Sequence, residues 1–171
     1  MNVIAIDPGM EGAMARLAHG RCSVSDLPVI DTGLDKYLDG RGIYDRLLNW
    51  VPVGEVGILI VEDVRVRAQG NGGRAMNTMH SQTSLMRSRG IIEGVASVAR
   101  LPITWVTPQK WKRHFGLKRD TDDEKTNVTK EKSRQMALQL FPSMTMALAR
   151  KMDQNRAEAL LIARWGQATQ T

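Results

Sequence analysis

The sequence predicts an α/β fold in which strands and helices surround one sheet. Two continuous apolar runs of strand length, at residues 3–6 and 56–61, each end in an acidic residue. Apolar runs without polar alternation are typical of strands buried on both faces of a sheet. From Ala157 onward the chain has the dense apolar content of a helix packed on a sheet, with Gly166 as its expected end. The 171 residues are expected to form a single domain with one core.

The remaining elements follow from the same patterns. We expect strands at 2–7, 12–18, 22–27, 56–62 and 102–106, and helices at 41–50, 77–99 and 130–140. Pro142 closes the last of these helices, and residues 143–150 lead into the C-terminal helix. Residues 116–129, rich in Asp, Lys and Thr, are predicted to form an exposed loop. Its acidic residues lack calcium-loop spacing, which favours a solvated turn over a cation site.

Asp7 and Glu62 are the first candidate site residues, because each ends a predicted internal strand. If these strands are neighbours in one sheet, their carboxylates come together and repel each other unless a cation lies between them. Carboxylate oxygens are the ligands that Mg²⁺ and Mn²⁺ prefer. The alternatives are that Asp7 caps the turn at Pro8-Gly9 and that Glu62 is a surface acid.

A further pair of acidic residues, Asp153 and Glu158, lies near the C-terminus. Five residues separate positions by about 140° around a continuous helix of 3.6 residues per turn. The two carboxylates can therefore meet at one metal site only if the helix begins after Asp153. The structural alternative is a capping box, with Asn155 as the N-cap and Glu158 three positions later.

Taken together, several segments resemble the RuvC-type Holliday-junction resolvases, in particular their bacteriophage-like branch. The resemblance runs from Asn2 to about Trp165, with weak correspondence at 27–55. The segments that carry it are Asp7-Pro8-Gly9, Glu62 after its apolar strand, residues 101–108, Trp111-Lys112, Lys132-Ser133-Arg134, Leu140-Phe141-Pro142 and residues 156–163. It implies a ribonuclease H-like fold with a mixed five-stranded sheet flanked by helices. It also implies a homodimeric, metal-dependent endonuclease that makes paired nicks in four-way DNA junctions during recombination and repair.

The resemblance further implies four carboxylates that hold two Mg²⁺ ions, for which Mn²⁺ would substitute. The family's first, second and last acids match Asp7, Glu62 and Glu158. The remaining acid often lies three residues before the last, where this chain has Asn155; the phage-like pattern places it five before, at Asp153, which we prefer. One ion would activate the attacking water and the other would stabilise the leaving oxygen.

Two lysines match positions that the family places near the scissile phosphate. Lys112 follows Trp111 after a turn at Pro108, and Lys132 lies near the start of a predicted helix. Each is interpreted either as a catalytic group that stabilises charge developing on the phosphate or as a solvated phosphate contact.

The charge distribution favours a polyanionic partner. The net charge is +6, but residues 64–134 contain fifteen basic and six acidic residues, a net charge of +9 that leaves −3 elsewhere. Such a basic region is expected of a DNA-binding surface, the alternative being a solvated face. The candidate contacts with branched DNA, chiefly four-way junctions, are Arg65, Arg67, Arg74, His80, Lys110, Arg113, Lys118 and Lys130.

A glycine-rich segment, residues 68–75, precedes the longest predicted helix. No Gly-Lys-Ser/Thr follows, so it is not a nucleotide-binding P-loop. It is interpreted either as a flexible connection or as a basic arm against the DNA backbone. In the helix, Met79, Met86, Gly90 and Gly94 offer small or adaptable surface suited to core packing or to a dimer contact, and the resemblance favours the dimer.

Cys22 is the only cysteine, so the chain has no disulfide framework and no thiolate zinc site. No apolar stretch approaches the roughly 18 residues of a membrane span, and no secretory signal is recognised. We expect a protein of the bacterial or phage-infected host cytoplasm, with no membrane association and no small-molecule cofactor. Two rival functions remain: a junction-binding protein that has lost cleavage, and a ribonuclease H-like nuclease acting on flaps or RNA–DNA hybrids.

Overall fold

The computed structural model describes residues 1–64, 79–117 and 126–170, with side chains from residue 82 and from residue 130 onward in the last two stretches. The first half contains β1 (Asn2–Asp7), β2 (Ala13–Ala18), β3 (Arg21–Asp26), β4 (Val29–Asp31), β5 (Lys36–Leu38), α1 (Gly40–Trp50) and β6 (Gly57–Glu62). The second half contains α2 (Met79–Val98), β7 (Ile103–Val106), α3 (Pro108–His114), α4 (Thr126–Leu140) and α5 (Gln154–Gln170). Two 3₁₀ turns, Pro142–Met144 and Lys151–Asp153, lie between α4 and α5.

Five strands form one mixed sheet in the order β3-β2-β1-β6-β7. β1 pairs antiparallel with β2 and parallel with β6, while β3 and β7 complete the two edges. Residues of β1 alternate between two cores: Val3 and Ala5 belong to one, Ile4 and Ile6 to the other. The central strand is therefore buried on both faces, which explains its uninterrupted apolar run. The predicted mixed five-stranded sheet is confirmed.

Helices cover both faces of this sheet. On one face α5 packs against β1 and β2, with Trp111 of α3 and Ala137 of α4 in the same core. On the other face α1 and α2 supply Ile43, Leu47 and Ile92. Within the described ranges, no helix is long and apolar enough to cross a membrane.

The turn between β1 and β2 fixes the end of the first strand. Gly12 donates its backbone N–H to the carbonyl of Gly9 at 2.9 Å. A Cβ atom at Gly12 would lie only 2.0 Å from the carbonyl oxygen of Asp7, so no larger residue fits this turn. Among the described residues, no backbone N–H donates to the carboxylate of Asp7, and the turn-capping alternative for this residue is wrong. The turn therefore fixes the backbone at Asp7 while its carboxylate stays available.

Two predicted boundaries are wrong. Gly166 does not end the last helix, which continues to Gln170. A Cβ atom at Gly166 would lie 2.5 Å from Cγ1 of Ile60, so the glycine permits close packing of helix on sheet. Residues 126–129 belong to α4 rather than to a loop, because this polar stretch contains neither Gly nor Pro to interrupt a helix.

The sequence prediction also missed two elements, the short hairpin of β4 and β5 and the seven-residue α3. Pro108 opens α3, a position where its missing N–H costs nothing. The other predicted strands and helices lie within two residues of their expected bounds wherever the structure describes them. The glycine-rich segment at 68–75, most of the predicted loop at 116–129 and the expected start of the long helix at 77 lie outside the described residues.

Candidate metal centre

Asp7 and Glu62 lie at the ends of neighbouring parallel strands. Ile6 of β1 pairs with Val61 of β6, so the two acids follow side by side at one edge of the sheet. Side chains alternate along a strand, which places both carboxylates on the face covered by α3, α4 and α5. Glu62 is 7% exposed, which excludes the surface alternative for this residue, and Asp7 is half-buried. The predicted convergence of these two acids is confirmed.

Glu158 of α5 is a third member of this group. It is 6% exposed, and its negative charge raises the pKa of both Asp7 and Glu62. Burial, followed by the negative charges of Glu62 and Glu158, raises the pKa of Asp7 well above its ordinary value; Lys130 and Lys112 act in the opposite direction. We refer to Asp7, Glu62 and Glu158 as the acid cluster. Its charges are only partly compensated by the protein around it.

Trp111 fixes the orientation of Glu62. The fully buried indole donates its Nε1–H to Oε1 of Glu62 at 2.8 Å. Burial raises the pKa of Glu62, the hydrogen bond from Trp111 opposes that rise, and the charge of Glu158 adds to it. The carboxylate is thus held in one position by a neutral donor that leaves its charge in place.

Glu158 has two partners from neighbouring helices. Nζ of Lys112 lies 3.0 Å from its Oε1, and the buried hydroxyl of Ser133 donates to the same oxygen at 3.1 Å. The alternative in which Glu158 completes a capping box with Asn155 is wrong. Helix α5 already begins at Gln154, so Asn155 lies inside it, and its Nδ2 donates to the carbonyl of Glu11 at 2.6 Å.

Asp153 lies in a different environment, among arginines. Its Oδ2 accepts the backbone N–H of Arg150 at 2.8 Å, and its Oδ1 accepts Nη2 of the same residue at 2.8 Å. Nη1 of Arg156 lies 3.5 Å away, while Nε of Arg156 donates to Asp26 at 2.6 Å. We refer to Asp26, Arg150, Asp153 and Arg156 as the arginine-paired group. Hydrogen bonds from Arg156 and Arg150 lower the pKa of Asp26 and of Asp153, respectively.

The structure therefore brings together three of the four predicted carboxylates. Helix α5 begins directly after Asp153, which meets the geometric condition for a fourth ligand. The carboxylate of Asp153 is nevertheless held by Arg150, and it must exchange this partner before it can bind a metal ion. Its assignment as the fourth ligand stays a prediction.

The chemistry of the acid cluster fits a hard divalent cation. Its donors are carboxylate oxygens, and their mutual repulsion is the kind that such a cation relieves. In the part of the chain that the structure describes, no three His, Cys or acidic side chains are already arranged to hold one ion. The observed contacts give a reason, since Lys112 and Trp111 engage oxygens of Glu158 and Glu62. A cation bound through Oε1 of Glu158 would therefore have to displace Lys112 from that oxygen.

The predicted basic residues have different positions. Lys130 is half-buried on α4 and its charge acts on Asp7, while Lys132 is half-buried on the same helix. Lys110 and Arg113 are exposed on α3, with Nζ of Lys110 5.3 Å from the ring centroid of Trp165. Arg65, Arg67, Arg74, Lys118 and the side chain of His80 lie outside the described residues.

Sequence reasoning assigned no role to Trp111 or Ser133. Trp111 precedes Lys112 and Ser133 follows Lys132 directly in the sequence. Ser133 lies four residues before the buried Ala137, so it is on the core-facing side of α4. A small polar residue on that side was the available signal. For Trp111 the available signal was an aromatic residue beside Lys112. Because helix α3 was not predicted, the direction in which the Trp111 side chain points could not be predicted either.

Comparison with known proteins shows the fold. Thermus thermophilus RuvC in complex with a Holliday junction substrate aligns with a TM-score of 0.54 and 16% sequence identity over 95% of this chain and 90% of that chain. A structure of T. thermophilus RuvC aligns with a TM-score of 0.54 and 14% identity over 100% of this chain and 98% of that one. No protein-family model and no curated protein sequence matches the chain. The protein has a RuvC-like, ribonuclease H-type α/β fold.

Proposed function

We propose that this protein is a structure-selective DNA endonuclease that resolves four-way junctions by paired, metal-dependent nicks. The observation that carries the proposal is the convergence of Asp7, Glu62 and Glu158 at one end of a RuvC-like sheet, with the pKa of Asp7 and of Glu62 raised. Perturbed carboxylates grouped in this way are typical of functional sites. The likeness to a resolvase whose structure contains a Holliday junction supports the choice of substrate.

The proposed cofactor is Mg²⁺, with two ions per site and Mn²⁺ as a substitute. Asp7, Glu62 and Glu158 would be the ligands, and Asp153 would join them only after releasing Arg150. When bound, the metal would supply an activated water and stabilise the leaving oxygen. The source of the chain is proposed to be a bacterium or phage, so the reaction would take place in the cytoplasm.

The protein's own residues have separate tasks in this proposal. Trp111 keeps Glu62 in position, and Ser133 does the same for Glu158. Lys112 neutralises Glu158 in the absence of a cation. With a cation held by the acid cluster, the ammonium group of Lys112 would be available to contact the scissile phosphate and stabilise the charge that develops there. Lys130, whose charge already reaches Asp7, would contribute attraction for the same phosphate, and Lys132 stays a second catalytic candidate.

Paired nicks require two active sites, and we propose a two-fold symmetric dimer. Met86, Gly90 and Gly94 recur every four residues along α2, and all three are exposed. Cβ atoms built at the two glycines would meet nothing within 4 Å, so a second helix has room to approach. Analytical ultracentrifugation at micromolar concentration, with and without junction DNA, checks the dimer. A monomer under both conditions would contradict it.

The deciding experiment compares cleavage of an immobile four-way junction, a flap, a linear duplex and an RNA–DNA hybrid, each with Mg²⁺ and with Mn²⁺. We expect symmetric nicks in the four-way junction and little cleavage of the duplex. Preferential cutting of the hybrid or the flap would favour the ribonuclease H-like alternative. Tight junction binding without cleavage under any condition would favour the binding-protein alternative.

A further inference from the structure

A groove of about 350 Å³ adjoins the acid cluster on the side of α2. Its lining combines apolar side chains with those of Glu62, Asp63 and Arg89. The residues that line it are Pro8, Glu62, Asp63, Val64, Leu85, Met86, Arg89 and Trp105. Its volume is at the lower end of the range for ligand-binding pockets, roughly 300–1,000 Å³. The groove is thus a small, largely apolar space that opens directly beside the proposed cleavage site.

Arg89 is fixed in place within this groove. Its Cζ lies 3.8 Å from the ring centroid of Trp105. Its Nη1 donates to Asp63 at 2.9 Å and its Nε donates to Glu93 at 3.0 Å. Three contacts therefore hold the guanidinium against the indole, and about a third of the side chain is exposed. A planar group held in this way presents one flat face to whatever enters the groove.

The charges of the groove favour a neutral, planar occupant. Asp63 and Glu93 offset the charge of Arg89, and Glu62, which also lines the groove, adds a further negative charge. A phosphate would be repelled by these carboxylates. An unpaired nucleobase carries no charge, stacks on guanidinium and aromatic planes, and is attached to a phosphate that can remain at the acid cluster.

We infer that this groove is a binding site for one unstacked nucleobase of the DNA strand that is cut, adjacent to the cleaved phosphate. The base stacks on the outer face of Arg89, and Pro8 and Leu85 contribute apolar wall. The inference rests on the proposed function and adds a substrate contact to it. Its role is to hold the strand in position, so it affects cleavage more than overall junction affinity.

The test combines removal of the base with alteration of the arginine. Junctions carry an abasic site at each of the two nucleotides flanking the cleaved phosphate in turn, and single-turnover cleavage rates are measured. For the wild type we expect a loss of about tenfold at one of the two positions, within the range for stacking of one base. Arg89→Lys keeps the charge but removes the plane, so base removal should change its rate less than twofold.

Arg87→Lys is the matched control. Arg87 lies on the same helix, its Cζ is also 3.8 Å from an aromatic ring centroid, that of Tyr37, and it pairs with Asp35, but it does not line the groove. This variant should lose the same tenfold as the wild type on base removal. Each protein serves as its own reference, so a reduced amount of folded Arg89→Lys does not affect the comparison.

A second measurement uses the unaltered groove. A 5-iodouracil base placed at the sensitive position and irradiated should crosslink to the peptides that contain Leu85 or Trp105. Crosslinks confined to other peptides would overturn the inference, as would equal sensitivity of wild type and Arg89→Lys to base removal. Either result is compatible with junction cleavage by the wild type, whereas a wild type that cuts no branched DNA would contradict the proposed function itself.

Discussion

Two groups of acids lie at the same end of the sheet, and their surroundings shift the pKa values of their carboxylates in opposite directions. Ala13 of β2 pairs with Asp7 on one side and with Asp26 on the other, so one residue of the acid cluster and one of the arginine-paired group lie two strands apart in a single row. The pKa of Asp7 is raised by burial and by neighbouring carboxylates. The pKa of Asp26 is lowered by hydrogen bonds from Arg156.

The difference separates two roles that the sequence alone does not distinguish. A carboxylate with a lowered pKa contributes to folding, since its ionised form is favoured by the native contacts. A carboxylate with a raised pKa costs stability at neutral pH and needs a compensating reason to be retained. The arginine-paired group therefore attaches α5 to β3 through Arg156 and Asp26, and we propose that the acid cluster is kept for metal binding and catalysis.

The largest expected effect comes from neutralising the acid cluster. Asp7→Asn and Glu62→Gln should each lower junction cleavage by about a hundredfold or more, because both remove a proposed metal ligand. Junction affinity should stay the same or increase, since repulsion of phosphate decreases. Cleavage rates and equilibrium binding on the same substrate check both effects. Cleavage at the wild-type rate by either variant would contradict the assignment.

A smaller effect is expected from the residue that positions Glu62. Trp111→Phe keeps the ring in the core but removes the Nε1–H donor. Groups that orient metal ligands typically contribute tenfold to a hundredfold, and we expect a decrease in cleavage of about tenfold. Trp165→Phe is the control, because that tryptophan is buried in the same core as Trp111, and the hydrogen bond that orients Glu62 comes from Trp111 instead. If both variants lost activity equally, the effect would reflect packing rather than positioning.

Asp153→Asn tests the structural role of the arginine-paired group. The carboxylate is 3% exposed and held by Arg150, so its replacement should lower the free energy of unfolding by about 1–3 kcal/mol. We expect cleavage, measured where the variant is folded, to fall less than tenfold. A hundredfold loss of cleavage with an unchanged melting temperature would instead identify Asp153 as the fourth metal ligand.

The pH dependence of stability without divalent cations should differ between the two groups. For Asp7, whose folded pKa lies above 3.8, the stabilising contribution is complete below pH 3.8 and is lost as the pH rises through the folded value. For Asp153, whose folded pKa lies below 3.8, the contribution is present above pH 3.8 and is lost as the pH falls. Urea unfolding at a series of pH values should therefore show that the free energy of unfolding of Asp7→Asn increases relative to that of the wild type as the pH rises. The free energy of unfolding of Asp153→Asn should approach that of the wild type as the pH falls.

The sequence predicted the sheet and the convergence of Asp7 and Glu62, because both depend on local apolar runs and on where each strand ends. The partners of Glu158 and Asp153 were not predictable in the same way. Lys112, Ser133 and Trp111 reach the acid cluster only through the packing of α3 and α4 beside α5. Arg150 binds Asp153 across a 3₁₀ turn, and the three residues of that turn have no sequence pattern that predicts it.

The central proposal is that the acid cluster is sufficient to bind divalent metal while Asp153 remains paired with Arg150. The most direct test measures the melting temperature during titration with Mn²⁺, without DNA, for the wild type, Asp7→Asn and Asp153→Asn. A ligand that binds only the native state raises the melting temperature, and the rise grows with the logarithm of ligand concentration divided by Kd. We predict a clear increase for the wild type and for Asp153→Asn and none for Asp7→Asn. An increase that survives in Asp7→Asn but disappears in Asp153→Asn would contradict the account.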